Sequence, residues 1–216
     1  MSILRKKPLS IINNIEVFSK LDNYIQNYNT ISNKHLKQIK IDQTNPFNNT
    51  DFDKIIEKQC DEILNTILIN NNSNKKKLKI LDAGCGLGNT FKKYTQNFSV
   101  YGVDISLDYL NEARNNGLNV ILSKIEDLPY KKNTFDFIYI SDVLEHVISL
   151  YECSTRLIDS LKIGGKIIIR APYNEDLNVY LDYNEFDYVH LRSINEKNLR
   201  LYYERVFGLK AKNFFF

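Results

Sequence analysis

The sequence is poor in cysteine and in net charge, and it contains no apolar run of the length that crosses a membrane. Its three cysteines, Cys60, Cys85 and Cys153, are scattered through 216 residues, which is typical of a reducing compartment and argues against a disulfide framework. They show no spacing with histidine that would hold a structural zinc ion, so we predict no metal site. Polar residues interrupt the stretch 9–14 too early for a signal peptide, and we expect a cytoplasmic protein.

The net positive charge is also small, because 29 lysines and arginines against 26 acids leave a net charge of +3. A protein that binds nucleic acid through its phosphates needs a denser basic surface, so nucleic acid is disfavoured as a partner. The length and a hydrophobic content of 43% are sufficient for one domain with a full core. The composition leaves the oligomeric state open.

The most informative stretch is residues 80–88, Ile-Leu-Asp-Ala-Gly-Cys-Gly-Leu-Gly. Its apolar residues end at Asp82 and predict a buried strand, then a tight turn, then a helix whose first amides face a ligand. The dinucleotide fingerprint would place its third glycine at position 89, where Asn89 stands. The Asp82 carboxylate would repel a pyrophosphate and attract an ammonium group, which favours a ligand with an amino-acid cation. The turn contains three glycines at alternate positions: Gly84, Gly86 and Gly88.

A second acid follows another short apolar stretch, residues 99–104, which ends at Asp104. Asp104 lies 16 residues after Gly88, a separation that accommodates one helix and a return strand. A carboxylate at the tip of a strand can accept hydrogen bonds from both hydroxyls of a ribose. Capping of the helix that begins near Leu107 is the alternative role, although Ser106 could supply that cap instead.

Five strings of the chain resemble the motifs of class I S-adenosylmethionine-dependent methyltransferases, in the family's order. The first two are the glycine turn of residues 81–88 and the acid-ended strand described above. The third, residues 124–130, contains an acid, Leu-Pro and an aromatic residue. The fourth, residues 141–147, contains the Leu-Glu-His-Val string of the small-molecule branch, and the fifth, residues 161–169, contains a Gly-Gly turn before a buried strand. Together they span residues 78–173.

The resemblance implies a cofactor, S-adenosylmethionine, and a place for each of its parts. In that family the glycine turn passes under the methionine part, the first acid helps to hold the amino group, and the second acid binds the ribose. An acid near the Leu-Pro pair meets the adenine amino group; here it is Glu126 or Asp127, and we favour Glu126. The cofactor-binding residues that the resemblance implies are Asp82, Gly84, Gly86, Gly88, Asp104, Ile105, Glu126, Asp127, Leu128 and Ser141.

The acceptor side of the site contains the catalytic candidates, His146 and His190. A hydroxyl acceptor would need a base, and His146 is the leading candidate because imidazole titrates near neutral pH; an orienting role is the alternative. We expect Glu145 to cap or pair locally. The tyrosine-rich segment 172–193 is expected to cover the acceptor, either by binding a ring or an apolar tail or by packing as a lid. Within it, Arg192 could meet an acidic group of the substrate.

Strand and helix patterns alternate from residue 78 onward, which predicts an α/β fold with a doubly wound, mostly parallel sheet. The resemblance implies a Rossmann-like strand order 3-2-1-4-5 plus an edge strand, with helices N-terminal to it. We predict strands near 78–83, 99–104, 119–123, 135–141, 165–171 and 209–216. We predict helices near 51–68, 88–97, 107–116, 150–162 and 194–207.

We divide the chain into a helical or irregular N-terminal extension, residues 1–50, and a methyltransferase domain, residues 51–216. The helices before the first core strand are expected to complete the pocket from one side. The family's sheet ends in an antiparallel hairpin, and we expect one strand of it to be missing, because the chain stops at Phe216.

The predicted function is therefore methyl transfer to an oxygen or nitrogen of a small molecule or metabolite. Two other functions compete with it. An NAD(P)-dependent oxidoreductase could use a similar sheet, but the glycine spacing and Asp82 argue against it. A cofactor-binding protein without turnover is the second alternative, and the intact glycine and acid positions argue against it. Metal-dependent O-methylation is disfavoured because no pair of acids clusters around the fourth predicted strand.

Overall fold

The computed structural model of the chain describes residues 2–42, 51–70, 77–181 and 189–212. Its strands are β1 (Ser10–Ile12), β2 (Ile15–Val17), β3 (Lys79–Ala83), β4 (Ser99–Asp104), β5 (Asn119–Leu122), β6 (Phe135–Ser141) and β7 (Leu161–Arg170). Its α-helices are α1 (Asn23–Asp42), α2 (Asp51–Asn70), α3 (Leu107–Asn115), α4 (Leu150–Ser160) and α5 (Glu196–Arg200). A π-helical turn, Leu201–Val206, continues α5.

The seven strands form one sheet in the order β1-β2-β5-β4-β3-β6-β7. The five strands from β3 to β7 are all parallel to their neighbours within that group, and they have the predicted order 3-2-1-4-5. The chain runs outward from β3 in one direction and then returns to its other side at β6. Ligands of such sheets bind beyond the carboxyl ends of the strands at this reversal, so the fold places the site next to the ends of β3, β4 and β6.

Successive residues of each buried strand point to opposite faces of the sheet, and both faces are packed in hydrophobic clusters. Ile80 packs in one hydrophobic cluster with Val100. Leu81, the next residue, packs in the other cluster with Val103 and Ile138. The near-continuous apolar runs of β3 and β6 are therefore explained by burial on two faces.

Two strands that the sequence did not predict extend the sheet beyond β5. Strand β2 pairs parallel with β5, and β1 pairs antiparallel with β2. Asn13 and Asn14 join them with φ of 49° and 60°, which is the backbone of a two-residue type I′ hairpin. Residues 209–212, where an edge strand was predicted, are not in a strand, and residues 213–216 lie outside the described residues.

The helix predicted over residues 88–97 is wrong, since this segment contains only a 3₁₀ turn, Lys92–Tyr94. Gly88 has φ of 73°, which ends any α-helical path, and the following asparagine and threonine residues have low helix propensity. Buried Phe91, Tyr94 and Phe98 fix the segment against the sheet instead. The other predicted helices correspond to α2, α3, α4 and the segment from α5 to residue 206.

Helix α1 joins the core through α3. The Ser106 hydroxyl donates to Ser32 Oγ at 2.7 Å, and the Leu107 amide donates to Asn29 Oδ1 at 3.0 Å. These contacts place the first turns of α1 beside the carboxyl end of β4. Within the described part of the chain, no helix is both long and apolar enough to cross a bilayer.

Candidate active site

A cleft of about 1360 Å³ opens beyond the carboxyl ends of β3, β4 and β6. Ligand pockets for drug-sized molecules have volumes of roughly 300–1,000 Å³, so the cleft has room for a cofactor and an acceptor together. Tyr24 and Tyr28 of α1 and Ile56 and Cys60 of α2 line one side. The expectation that the helices before β3 complete the pocket is confirmed.

Asp82 is the last residue but one of β3 and lines the cleft. Asp82 is only 2% exposed, and its Oδ2 atom has no hydrogen-bond partner among the residues that the structure describes. Burial, and secondarily the charge of Asp104, raise the pKa of Asp82 to about 8. A buried carboxyl group without a donor is costly, so a cationic group in the cleft would satisfy it.

The three glycines of the turn have positive φ, but their surroundings differ. A Cβ on Gly84 would lie 2.1 Å from Val143 Cγ2, and a Cβ on Gly88 would lie 3.0 Å from Ala113 Cβ. A Cβ on Gly86 would meet no described atom within 4 Å, and Gly86 lines the cleft. Gly84 and Gly88 therefore permit close packing of neighbouring segments, whereas Gly86 leaves space for a ligand. A direct contact of Gly88 with a cofactor stays a prediction.

The amides of the turn bond within the protein. Those of Gly84 and Cys85 both donate to the Val103 carbonyl, at 2.8 and 3.0 Å, and that of Gly86 donates to Asp104 Oδ2 at 2.9 Å. No α-helix follows directly after the turn, so the expected helix start is absent, and a contact of the amides of residues 87–91 with a ligand stays a prediction. The turn leaves open space over Gly86, and its Gly86 amide holds the Asp104 carboxylate in place.

Asp104 ends β4 and lines the cleft with both of its oxygens held. Oδ2 accepts from the Gly86 amide and Oδ1 accepts from the Ser106 amide, each at 2.9 Å. Burial raises the pKa of Asp104, while these hydrogen bonds act in the opposite direction. Each carboxylate oxygen has two lone pairs, so each can also accept from a ligand hydroxyl. Ser106 supplies the cap of α3, because its Oγ accepts from the Tyr109 amide at 3.2 Å.

The predicted adenine-binding residues lie in different surroundings. Glu126 lines the cleft, but its Oε1 accepts from the Ile148 amide at 3.0 Å, just before α4. Asp127 and Leu128 are not among the described residues that line the cleft. Asp127 Oδ2 accepts from the Ser19 hydroxyl at 2.7 Å, and Leu128 is buried in the core. Glu126 and Asp127 therefore fix the local backbone, and their contact with an adenine ring stays a prediction.

Ile105 and Ser141 both line the cleft, as the resemblance implied. The Ser141 hydroxyl donates to Asp142 Oδ2 at 2.9 Å, and the same oxygen lies 3.6 Å from Arg170 Nε. Asp142 has φ of 52°, a left-handed conformation that aspartate tolerates better than most residues. This bend leads the chain away from β6 and toward the glycine turn.

His146 and His190 meet at the cleft although 44 positions separate them in the sequence. Their ring centroids are 4.7 Å apart at an interplanar angle of 78°. His146 Nδ1 lies 3.0 Å from the Val189 carbonyl; because a carbonyl only accepts, Nδ1 carries the proton. Burial lowers the pKa of His146, so the neutral ring is favoured and the lone pair is on Nε2. Catalysis by either histidine stays a prediction.

The expected local pairing of Glu145 is present as one long contact with the adjacent His146. Glu145 is 1% exposed, and neither carboxylate oxygen has a hydrogen-bond partner in the described part of the chain. The nearest recorded group is His146 Nε2, which lies 3.9 Å from Glu145 Oε1. Burial raises the pKa of Glu145 to about 8. The turn that follows β6 thus directs an acid into the protein instead of into solvent.

The segment predicted to cover the acceptor is only partly described. The hydroxyl of Tyr180 lies 2.9 Å from His190 Nδ1. Tyr183, Phe186 and Tyr188, also predicted to cover the acceptor, lie outside the described residues. Arg192 donates to the Leu144 and Ile148 carbonyls, so it stabilises the turn after β6; its contact with a substrate stays a prediction.

Sequence reasoning did not single out Tyr24 and Tyr28, which line the cleft. The Tyr24 hydroxyl donates to the His146 carbonyl at 3.1 Å, and the Tyr28 ring lies edge-on to the His146 ring with centroids 6.1 Å apart. Burial raises the pKa of Tyr24 to about 12. The spacing of four residues on one helix face was a signal that could have paired them.

Gly84→Ala should destabilise the protein by about 2–4 kcal/mol, because the added Cβ overpacks against Val143 and the backbone keeps a positive φ. Gly86→Ala, which has positive φ but open space, should cost about 1 kcal/mol. Urea unfolding of both variants measures the difference. Adding Val143→Ala to Gly84→Ala should restore part of the loss. Equal destabilisation of the two single variants would contradict the close approach seen here.

The strand order and the glycine turn at its reversal define a Rossmann-like α/β protein. Residues 81–169 match the family described as methyltransferase domain. The chain is 31% identical over 160 residues to an uncharacterized protein of Methanocaldococcus jannaschii, covering 72% of this chain and 70% of the relative. The chain belongs to the S-adenosylmethionine-dependent methyltransferases.

Two further similarities differ in reach. Phosphoethanolamine N-methyltransferase 3 of Arabidopsis thaliana is 30% identical over an alignment of 123 residues, which covers 50% of this chain but only 25% of that enzyme. The solved structure of the YcgJ protein from Bacillus subtilis superposes with a TM-score of 0.51 at 20% identity, over 65% of each chain. The similarity to the YcgJ protein concerns the fold alone. The similarity to the plant enzyme leaves most of that enzyme without a counterpart in this chain.

Proposed function

We propose that this chain binds S-adenosylmethionine in the cleft and transfers its methyl group to an oxygen or nitrogen of a small molecule. The observation that carries the proposal is Asp82 Oδ2, a buried acceptor without a described partner, in the same cleft as Asp104. A cofactor that links an ammonium group to a ribose has a complementary group for each acid. A dinucleotide would bring a phosphate toward Asp82, where it would supply no positive charge and would further oppose ionisation of the carboxyl group.

The residues of the cleft fit the cofactor. We assign the amino group to Asp82, the close approach of the methionine part to Gly86, and the ribose hydroxyls to Asp104. Ile105 and Glu126 line the part of the cleft assigned to the adenine. When bound, the sulfonium supplies an electrophilic methyl group and leaves as a neutral thioether, so the protein need not protonate it.

The protein's remaining tasks are to orient the acceptor and to exclude water. The cleft continues along Tyr28, His146 and His190, and we assign this side to the acceptor. A small-molecule acceptor is also supported by the plant relative, whose name gives phosphoethanolamine as its substrate. The three cysteines are buried and unpaired, which is consistent with the cytoplasmic location predicted from the sequence.

Calorimetric titration with S-adenosylmethionine and with NADH tests the class of ligand. We expect saturable heat with S-adenosylmethionine and none with NADH. Binding of NADH alone would support the oxidoreductase alternative. Incubation with methyl-labelled S-adenosylmethionine and fractionated metabolites then separates an enzyme from a protein that binds the cofactor without turnover.

Gly86→Leu should weaken S-adenosylmethionine binding more than tenfold, because its side chain would occupy the open space of the cleft. Gly164→Leu is the matched control, since Gly164 also has positive φ and open space but lies in β7. Both variants carry comparable backbone strain of about 1 kcal/mol. Calorimetry should show loss of affinity for the first variant only. Unchanged affinity in Gly86→Leu would place the cofactor elsewhere.

A further inference from the structure

Three side chains of the cleft form a cluster that the cofactor assignment does not use. Glu145, His146 and His190 each offer one ligand atom, and these atoms lie within 4.8 Å of one another. All three residues line the cleft. The Glu145 carboxylate is buried, and both its oxygens lack a described hydrogen-bond partner.

Neither Arg192 nor Arg170 donates a hydrogen bond to the Glu145 carboxylate, although the charge of Arg170 acts on it from a distance. Arg192 donates to backbone carbonyls of the turn after β6, and Arg170 lies 3.6 Å from Asp142. A buried carboxylate needs a positive partner or donors. A neutral imidazole carries no positive charge, whereas a cation bound between the three groups would supply it.

The imidazoles are oriented as metal-binding histidines usually are. Such histidines hold one ring nitrogen on a carbonyl or carboxylate, which fixes the tautomer and directs the other nitrogen to the ion. His146 Nδ1 donates to the Val189 carbonyl at 3.0 Å. His190 Nδ1 contacts Glu175 Oε2 and lies 2.9 Å from the Tyr180 hydroxyl. In both rings this leaves Nε2 as the ligand atom.

We propose that Glu145, His146 and His190 bind one divalent transition-metal cation on the acceptor side of the cleft. Two imidazoles and a carboxylate suit zinc, manganese, iron or cobalt better than magnesium or calcium, which prefer oxygen ligands alone. Bonds of roughly 2.0–2.2 Å place neighbouring ligand atoms about 3.4 Å apart, so binding requires a contraction of about an ångström. Three protein ligands leave open positions, as in catalytic metal sites.

The open positions give the site a role that rests on the proposed function. They are available to an oxygen of the acceptor, which the cation would bind and make easier to deprotonate. Of the acceptors allowed above, an oxygen acceptor is therefore favoured over a nitrogen acceptor. The sequence-based expectation of no metal site rested on local spacing, which does not reveal that the chain returns His190 to the adjacent Glu145 and His146.

Cobalt titration of the metal-stripped protein tests the site, because tetrahedral or five-coordinate Co²⁺ absorbs visible light. The wild type should bind one equivalent with a saturable absorption band, and Zn²⁺ should bleach it. Glu145→Gln and His190→Gln should each weaken binding at least tenfold. His35→Gln is the matched control, since His35 is the one histidine of the chain outside the proposed site and lies on α1. This substitution should leave cobalt binding unchanged.

Far-ultraviolet circular dichroism of each variant shows whether it is folded. The proposal is overturned if the folded wild type shows no saturable one-equivalent binding, or if Glu145→Gln and His190→Gln bind as the wild type does. Calorimetry with S-adenosylmethionine on the same samples separates the two proposals. Cofactor binding without a cobalt site would leave only the methyltransferase proposal standing, and a cobalt site without cofactor binding would leave only the metal site.

Discussion

Asp82→Asn is expected to make the ligand-free protein more stable than the wild type at pH 9, by on the order of 3–5 kcal/mol. The pKa of Asp82 is raised from 3.8 to about 8 in the folded protein, so between these pH values the folded state binds more protons than the unfolded state. The free energy of unfolding of the wild type therefore falls as the pH rises from about 4 to about 8. Asparagine does not titrate and removes this contribution.

Urea unfolding of wild type and variant across pH 4 to 9 measures the effect. The two proteins should have similar stability near pH 4 and diverge as the pH rises. Acids that do not interact with Asp82 contribute to both curves equally, so the difference between the curves reports Asp82 together with its coupling to Asp104. Asp108→Asn, in the first turn of α3, is the control and should give no such divergence. Parallel curves for Asp82→Asn and wild type would show that the acid is ionised at little cost.

The same variant should bind S-adenosylmethionine about 10–100-fold more weakly, since a charge-assisted hydrogen bond contributes roughly 1.5–3 kcal/mol. Binding of an ammonium group requires the Asp82 carboxylate, and the empty protein at pH 7 holds it mostly protonated. Binding to the wild type should therefore release close to one proton from Asp82. Calorimetry in two buffers of different ionisation enthalpy measures this proton, which should be missing in Asp82→Asn.

The central part of the fold and the two acids could be predicted because their signals are local. Asp82 and Asp104 each end an apolar run, and parallel strands bring such ends to one edge. Strands β1 and β2 have three residues each, which is too short for a periodic pattern. The helix predicted after the glycine turn is absent, because Gly88 has a positive φ and residues 89–97 have weak helix propensity.

The arrangement of the acceptor side could not be predicted, because it depends on contacts between distant segments. Glu126 lines the cleft as predicted, but nothing local shows that its Oε1 accepts a hydrogen bond from the Ile148 amide. Arg192 looked like a substrate-binding cation, yet it bonds to backbone carbonyls of the turn after β6. The burial of Glu145 after the bend at Asp142 likewise has no local signal in the sequence. The chain between β7 and α5 brings Arg192 to this turn, and the turn between β6 and α4 brings Ile148 to Glu126, and no local pattern encodes either path.

Asp104→Ala is expected to weaken S-adenosylmethionine binding by on the order of 100-fold or more, because two hydrogen bonds to a carboxylate are lost at roughly 1.5–3 kcal/mol each. The substitution also removes the acceptor of the Gly86 and Ser106 amides, so weaker binding alone would not distinguish ribose recognition from a disturbed turn. Two comparisons distinguish these causes. The first uses a second ligand, methylthioadenosine, which has the ribose and the adenine but no amino acid. The second uses a second variant, Asp82→Asn.

If each acid binds the part of the cofactor assigned to it, Asp104→Ala should lose affinity for both S-adenosylmethionine and methylthioadenosine. Asp82→Asn should lose affinity for S-adenosylmethionine only. Calorimetric titration of both variants with both ligands gives four affinities, and thermal unfolding shows that each variant is folded at the temperature used. Equal loss of methylthioadenosine binding in the two folded variants would mean that the acids act together on the shape of the turn, and the assignment of amino group and ribose to separate carboxylates would fail.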